Sequence, residues 1–195
     1  MSDLSDKNKL FPIFLKLESL RLLIVGAGPV AAEKLTAVLA NARGTSIKIV
    51  AKEVSKTVSN MIVGNANIEL VQKEFDVIDL NEIDLVISAV GNRETSATIR
   101  MLAHERKLLI NVADTPDLCD FYLGSIVQKG NLKIAISTNG QSPTASKRIK
   151  EMLHSALPDE IDEMIENLHT IRNQLKGDFQ NKVSRMNEIT RSLIE

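Results

Sequence analysis

Gly26-Ala27-Gly28-Pro29-Val30-Ala31 has the residue types and spacing of a phosphate-binding turn, G-x-G-x-x-A. It follows the apolar run Leu20 to Val25, which reads as a strand, and it opens a stretch with helical periodicity. In that setting Gly26 permits a tight turn, Gly28 lets the backbone approach a pyrophosphate, and Ala31 lets the helix lie close to the sheet with its N-terminus facing the phosphates. Pro29 gives up one amide donor and presets the helical φ angle. The plainer alternative is a glycine turn that only joins strand to helix. A carboxylate that meets the adenosine ribose is expected about 20 residues further on. Here Lys52 and Glu53 stand just past Val50-Ala51. Glu53 suits the ribose hydroxyls of NAD and Lys52 the extra phosphate of NADP, and both also read as solvated residues at a helix start.

Two further segments carry chemistry. Asn111-Val112-Ala113-Asp114 closes a fifth strand-like run, on the edge of an open α/β sheet where ligands bind, so Asp114 is either a proton acceptor or a cap for the turn at Thr115-Pro116. Asn111 has the same two readings. Ser137-Thr138-Asn139-Gly140-Gln141-Ser142-Pro143 places hydroxyls and amides between a strand and a helix N-terminus, a setting that suits carboxylate or phosphate groups. Lys147, Arg148 and Lys150 follow, as cations for that ligand or as an ordinary solvated face. His104, His154 and His169 lack metal-ligand spacing and Cys119 has no second thiol, which points to no metal centre. Cys119 reads as a buried filler.

These residues need a scaffold, and the pattern supplies one. Leu20 to Val25, Ile47 to Val50, Ile68 to Val71, Leu85 to Ala89 and Leu108 to Val112 are short apolar runs separated by helical stretches, the signature of a parallel sheet buried on both faces. After Asp114 the pattern changes. Phe121 to Val127 and Leu132 to Ser137 flank Lys129-Gly130-Asn131 and predict a hairpin, and a helix is expected from Ser142-Pro143 to Leu157. Ile161, Ile165, Leu168, Ile171 and Leu175 then mark a helix that breaks at Gly177, with a second helix beyond.

Composition limits the partners. The 195 residues are 44% hydrophobic, enough for one core of good size or two small ones, and the formal charge of -1 gives no overall attraction to nucleic acid or an anionic membrane. Met1 to Lys7 shows no export signal, no apolar run reaches the roughly 18 residues of a membrane span, and the lone cysteine suits a reducing compartment. A cytoplasmic protein is expected.

Taken in order, Phe11-Pro12-Ile13-Phe14-Leu15, then Leu23-Ile24-Val25-Gly26-Ala27-Gly28 with Val30-Ala31 and Lys34, then Asn111-Val112 with Asp114, and finally Ile136-Ser137-Thr138 with Gly140 and Ser142-Pro143 resemble the precorrin-2 dehydrogenase family. That family shares its fold with the amino-terminal part of siroheme synthase and with bifunctional dehydrogenase and ferrochelatase enzymes of fungi. The resemblance implies a Rossmann-like α/β domain over residues 1–114 that binds NAD, a small α+β dimerisation and active-site region over 115–157, and a helical module over 158–195. It implies oxidation of precorrin-2 to sirohydrochlorin by a homodimer, with cofactor contacts at Gly26, Gly28, Pro29, Val30, Lys52 and Glu53. Asp114 would be the general base, and Asn111, Ser137, Thr138 and Ser142 would meet the tetrapyrrole. Thr138 departs from the serine of some relatives, and Ala89 to Arg93 lacks the acidic run common in the family. Two other readings use the same residues: a module that binds NAD without turnover, and an enzyme that also inserts ferrous iron into sirohydrochlorin.

Overall fold

Strand β1 (Arg21–Val25) is the centre of a five-stranded parallel sheet in a computed structural model of the protein, which describes residues 8–191. Met1 to Lys7, expected from its sequence to carry no export signal, lies outside them. The other strands are β2 (Ser46–Ala51), β3 (Ile68–Gln72), β4 (Leu85–Ser88) and β5 (Leu109–Val112), in the order β3-β2-β1-β4-β5. Ile24 pairs in register with Ile49 on one side and Ile87 on the other. The chain winds outward in both directions from β1, so the carboxyl ends of β1 and β4 flank the switch point where such sheets open a ligand crevice.

Alternation within each strand explains why both faces are buried. Leu22, Ile24, Ile47, Ile49, Leu85 and Ile87 pack with Ala31, Leu35 and Val38 of α1 (Pro29–Asn41) and Val58 of α2 (Lys56–Ile62). Leu23, Val25, Val50, Val86, Ile110 and Val112 point the other way, against Ile99 and Ala103 of α3 (Arg93–Glu105). Each such leucine or isoleucine contributes about 1.5–3 kcal/mol on burial. Helix α2 has only seven residues and no long apolar stripe, so its start is set by Ser55, whose Oγ accepts from the Val58 N–H at 3.3 Å.

A charge is buried between β2 and the turn after β3. Asp79 is 2% exposed, and its carboxylate accepts hydrogen bonds from Lys48 Nζ at 2.9 Å and the Asp76 N–H at 3.0 Å and pairs with Lys73 Nζ at 2.7 Å. Burial alone raises its pKa, but the bonds from Lys73, Lys48 and Asp76 outweigh burial and hold the carboxyl below its ordinary value. A carboxylate with a depressed folded pKa adds stability above its unfolded pKa and loses it as pH falls through the folded one. Asp79→Asn is therefore expected to cost about 1.5–3 kcal/mol at neutral pH. In urea unfolding the gap from the parent protein should close below about pH 4. A gap that stayed constant with pH would show that the charge on Asp79 contributes nothing.

The chain divides into two compact units at Leu123–Gly124. In the second, β6 (Ser125–Lys129) and β7 (Leu132–Ile136) form an antiparallel hairpin, followed by α4 (Pro143–Ala156), α5 (Ile161–Gln174) and α6 (Phe179–Ile189). The hairpin, the helix start at Pro143 and the break near Gly177 fall where the sequence puts them. The strand expected from Phe121 begins only at Ser125, because the Phe121 carbonyl accepts a hydrogen bond from the Asn111 side chain at 2.8 Å along the outer edge of β5. Around the turn of the hairpin, Lys129 Nζ bonds the Leu157 carbonyl and Asp159, and Asp162 accepts from the Asn131 N–H. Val127 and Ser146 are the buried residues of this unit among those described. No helix of the described residues is long and apolar enough to cross a membrane.

Candidate dinucleotide site

Gly26 sits at the carboxyl end of β1 with φ +104°, a left-handed conformation that a side chain disfavours. Its N–H bonds the Val50 carbonyl at 2.8 Å, and a Cβ placed on it would lie 2.5 Å from the Ala89 carbonyl oxygen. The turn is thus wedged between the ends of β2 and β4. Gly28 is different: it caps α1 with φ −84°, and a Cβ there would meet nothing within 4 Å. Any residue can adopt that backbone, so the empty space beside it, not its conformation, is what a glycine preserves. Pro29 is the first residue of α1, whose first-turn N–H groups lack helical partners, an arrangement that favours an anion at the helix start.

The space in front of this turn is a cleft of about 970 Å³ along the carboxyl edge of the sheet. Gly26, Gly28, Lys52 and Glu53 all line it. Pro29 and Val30 open α1 and are not among its lining residues, and Val30 packs against the core below. The far wall is Lys73 to Val77, and the segment Ala89-Val90 with Glu94 and Thr95 of α3 closes another side. Ala89-Val90 belong to the segment after the fourth strand that the family resemblance puts at the nicotinamide edge, whereas Lys73 to Val77, Glu94 and Thr95 carry no local signal of a cofactor role. They reach the cleft because β3 and β4 flank the central strands, an ordering that no local pattern encodes. Both lysines of the cleft are paired: Lys52 with Glu74 and Lys73 with the buried Asp79. Glu53 has no partner cation among the described residues.

Asp114 lies just past β5, on the same edge of the sheet but outside the lining of the cleft. The Ala113 N–H bonds the Ser88 carbonyl at 2.9 Å, which fixes the Asp114 turn to the end of β4. Asp114 itself has φ +57°, and its carboxylate has no hydrogen-bond partner among the described residues. Thr115, not Asp114, occupies the cap position of the following turn and makes no side-chain cap. Asn111 is committed to structure. It is 6% exposed and donates to the Phe121 carbonyl, with its amide 3.5 Å from Cys119 Sγ. Cys119 is half-buried; its thiol donates to the Val112 carbonyl at 3.1 Å, and burial pushes its pKa up.

In the second unit the hydroxyls of the Ser137 to Pro143 segment shape their own turn. Ser137 Oγ accepts from the Asn139 N–H, Thr138 Oγ1 donates to the Ser142 carbonyl at 3.1 Å, and Ser142 Oγ caps α4 at the Ala145 N–H. Among the described residues no three His, Cys, Asp or Glu side chains converge as a metal site.

The sheet order, the glycine turn at its switch point and the cleft in front define a Rossmann-type dinucleotide-binding fold. A family model described as "Putative NAD(P)-binding" matches residues 13–125, and the chain belongs to that family. A second model, "Sirohaem biosynthesis protein central", matches residues 129–156. The siroheme synthase of Vesicomyosocius okutanii subsp. Calyptogena okutanii (strain HA) is 33% identical over 168 residues, covering 86% of this chain and 35% of that protein. That of Ruthia magnifica subsp. Calyptogena magnifica is 32% identical over 170 residues, covering 87% and 35%. The chain thus spans about a third of the length of these curated relatives. The solved structure of SirC, precorrin-2 dehydrogenase, shares the fold with a TM-score of 0.72 and 24% identity, over 92% of this chain and 89% of that one.

Proposed function

We propose that this chain oxidises precorrin-2 to sirohydrochlorin, with NAD as the electron acceptor. The observation that carries the proposal is a carboxylate, Asp114, that has no partner among the described residues and is held on the same sheet edge as a glycine turn that opens onto a cleft. The names of the relatives supply the substrate class: siroheme synthases are similar in sequence and a precorrin-2 dehydrogenase is similar in fold.

The residues of the cleft fit a dinucleotide. Gly28 leaves room for a pyrophosphate, and the first turn of α1 offers partial positive charge to it. Pro29 and Val30 set that turn. Glu53 would take the ribose hydroxyls, and with Lys52 and Lys73 already held by carboxylates, little positive charge remains for a ribose phosphate. That balance supports NAD over NADP. When bound, the nicotinamide supplies the hydride acceptor. Asp114 then takes the proton lost from the neighbouring position of the macrocycle and returns it to water, so that two electrons and one proton leave as hydride and the second proton leaves through the carboxylate. Ser137, Thr138 and Ser142, with Asn111 behind Asp114, are assigned to the substrate side by resemblance.

A second copy of the chain is the partner we infer. The hairpin β6-β7 has only two strands, and Ile149, Met152, Phe179 and Ile189 are exposed in a unit with little core of its own. The lone cysteine fits work in the cytoplasm. Incubation of the protein with precorrin-2 and each dinucleotide tests the function. The expected result is growth of the reduced-nicotinamide band with NAD, and a smaller response with NADP, alongside the sirohydrochlorin spectrum. Cofactor binding with no reduction in either case would leave a binding module and overturn the dehydrogenase.

A further inference from the structure

We propose that Arg93 and Asp117, backed by His104 and Asp120, form a charged clasp that positions Asp114, a role that rests on Asp114 being the base proposed above. After β5 the chain turns at Asp114, makes a 3-10 turn at Pro116–Leu118 and runs back along the outer edge of the strand, where the Asp120 N–H bonds the Ile110 carbonyl at 2.8 Å. On its other side this returning segment meets α3. Arg93, Arg100 and His104 are spaced at i, i+7 and i+11 on that helix and so share a stripe. Arg93 grips Asp117 through its two terminal guanidinium nitrogens, Nη1 at 3.1 Å from Oδ1 and Nη2 on Oδ2. At the other end of the stripe, His104 Nε2 lies 3.0 and 2.8 Å from the two oxygens of Asp120, which also accepts from the Ile110 N–H at 2.9 Å. The Arg93 guanidinium holds the Asp117 carboxyl below the usual range, and the charge of Arg100 acts in the same direction.

Such a clasp has a reason to exist. A left-handed backbone at a non-glycine residue is costly and persists only where its neighbours over-determine it. At Asp114 the turn is closed locally by the Thr115 N–H on the Val112 carbonyl at 3.3 Å and by Thr115 Oγ1 on the Ala113 carbonyl at 3.2 Å, and it is tied to its surroundings by the Ala113–Ser88 hydrogen bond behind and by Asp117, three residues ahead. Among the described residues the Asp114 carboxylate makes no bond of its own, so the place of this closed turn relative to α3 rests on the backbone around it and on the Arg93–Asp117 pair. Arg93 and Asp117 are 64% and 60% exposed in their side chains, which makes them weak contributors to global stability and leaves local geometry as their effect. Displacement of a reacting group by about 1 Å lowers rate by about a hundredfold. Arg93 and Asp117 are thus positioning residues for the Asp114 turn.

The test compares Asp117→Asn, Arg93→Gln and the exchanged pair Arg93→Asp with Asp117→Arg, alongside Asp114→Asn, measuring kcat with precorrin-2, the Kd for NAD and the melting temperature. Each single variant is expected to lose about ten- to hundredfold in kcat, with Kd and melting temperature unchanged, and the exchanged pair to recover most of the loss. Full turnover in Asp117→Asn while Asp114→Asn is inactive would overturn the clasp and leave the base in place. Loss of kcat in the single variants without recovery in the exchanged pair would also overturn it. Near-normal turnover in Asp114→Asn would instead remove the base, and with it the clasp's purpose.

Discussion

Replacing Asp114 by Asn is expected to lower turnover of precorrin-2 by about 10²–10⁴-fold while NAD binding is kept. The substitution preserves shape and removes the one property the proposed mechanism needs, a group that accepts a proton. Asparagine tolerates the left-handed region at least as well as aspartate, so the φ of +57° is retained and backbone strain is not an alternative cause. Gly26, Gly28, Lys52 and Glu53 are elsewhere on the sheet edge and are untouched. The measurement is single-turnover reduction of NAD by precorrin-2, paired with titration of the dinucleotide alone. Near-normal turnover would take Asp114 out of the mechanism. Weakened NAD binding of similar size would mean that the residue acts on the cofactor instead.

The second large effect separates the two glycines of the turn. Gly26→Ala is expected to destabilise the first unit by about 2–4 kcal/mol, the sum of a left-handed backbone and an overpacked contact. The reason is local: its methyl group would press on the Ala89 carbonyl at 2.5 Å, against backbone that belongs to the sheet and cannot swing aside. Gly28→Val is expected to leave unfolding unchanged and to raise the Kd for NAD by about tenfold or more, because the side chain would fill the open space proposed for the pyrophosphate. Urea unfolding and dinucleotide titration on the same two variants distinguish the effects. A stable Gly26→Ala would contradict the geometry of the turn. Unchanged NAD affinity in Gly28→Val would place the cofactor elsewhere.

Much of the frame around these residues was legible because its signals are local. The β1–turn–α1 unit is written in consecutive residues, an apolar run, two glycines and a proline. The hairpin around Gly130 and the helix capped by Ser142 are likewise carried by neighbours in sequence. Other parts were not. Phe121 to Gly124 has strand-like composition but stays irregular, since the Phe121 carbonyl serves the Asn111 side chain across the edge of β5. Helix α2 is too short for a periodic stripe. Asp79 looks like any acidic loop residue until Lys48 and Lys73 converge on it from two different strands' surroundings.

The candidate site divides in the same way. By itself the sequence determined the class of fold, the glycine turn proposed to meet a dinucleotide and the acid just past the fifth strand, because each depends on residue types within a few positions of one another. Only the tertiary structure decided what those residues are free to do. Among the described residues it left the Asp114 carboxylate without a partner, committed the Asn111 amide to the backbone, paired Lys52 and Lys73 with carboxylates and left Glu53 beside them without a cation. Those outcomes depend on which strands lie side by side, and strand order is fixed by packing across the whole sheet, not by any single run of residues.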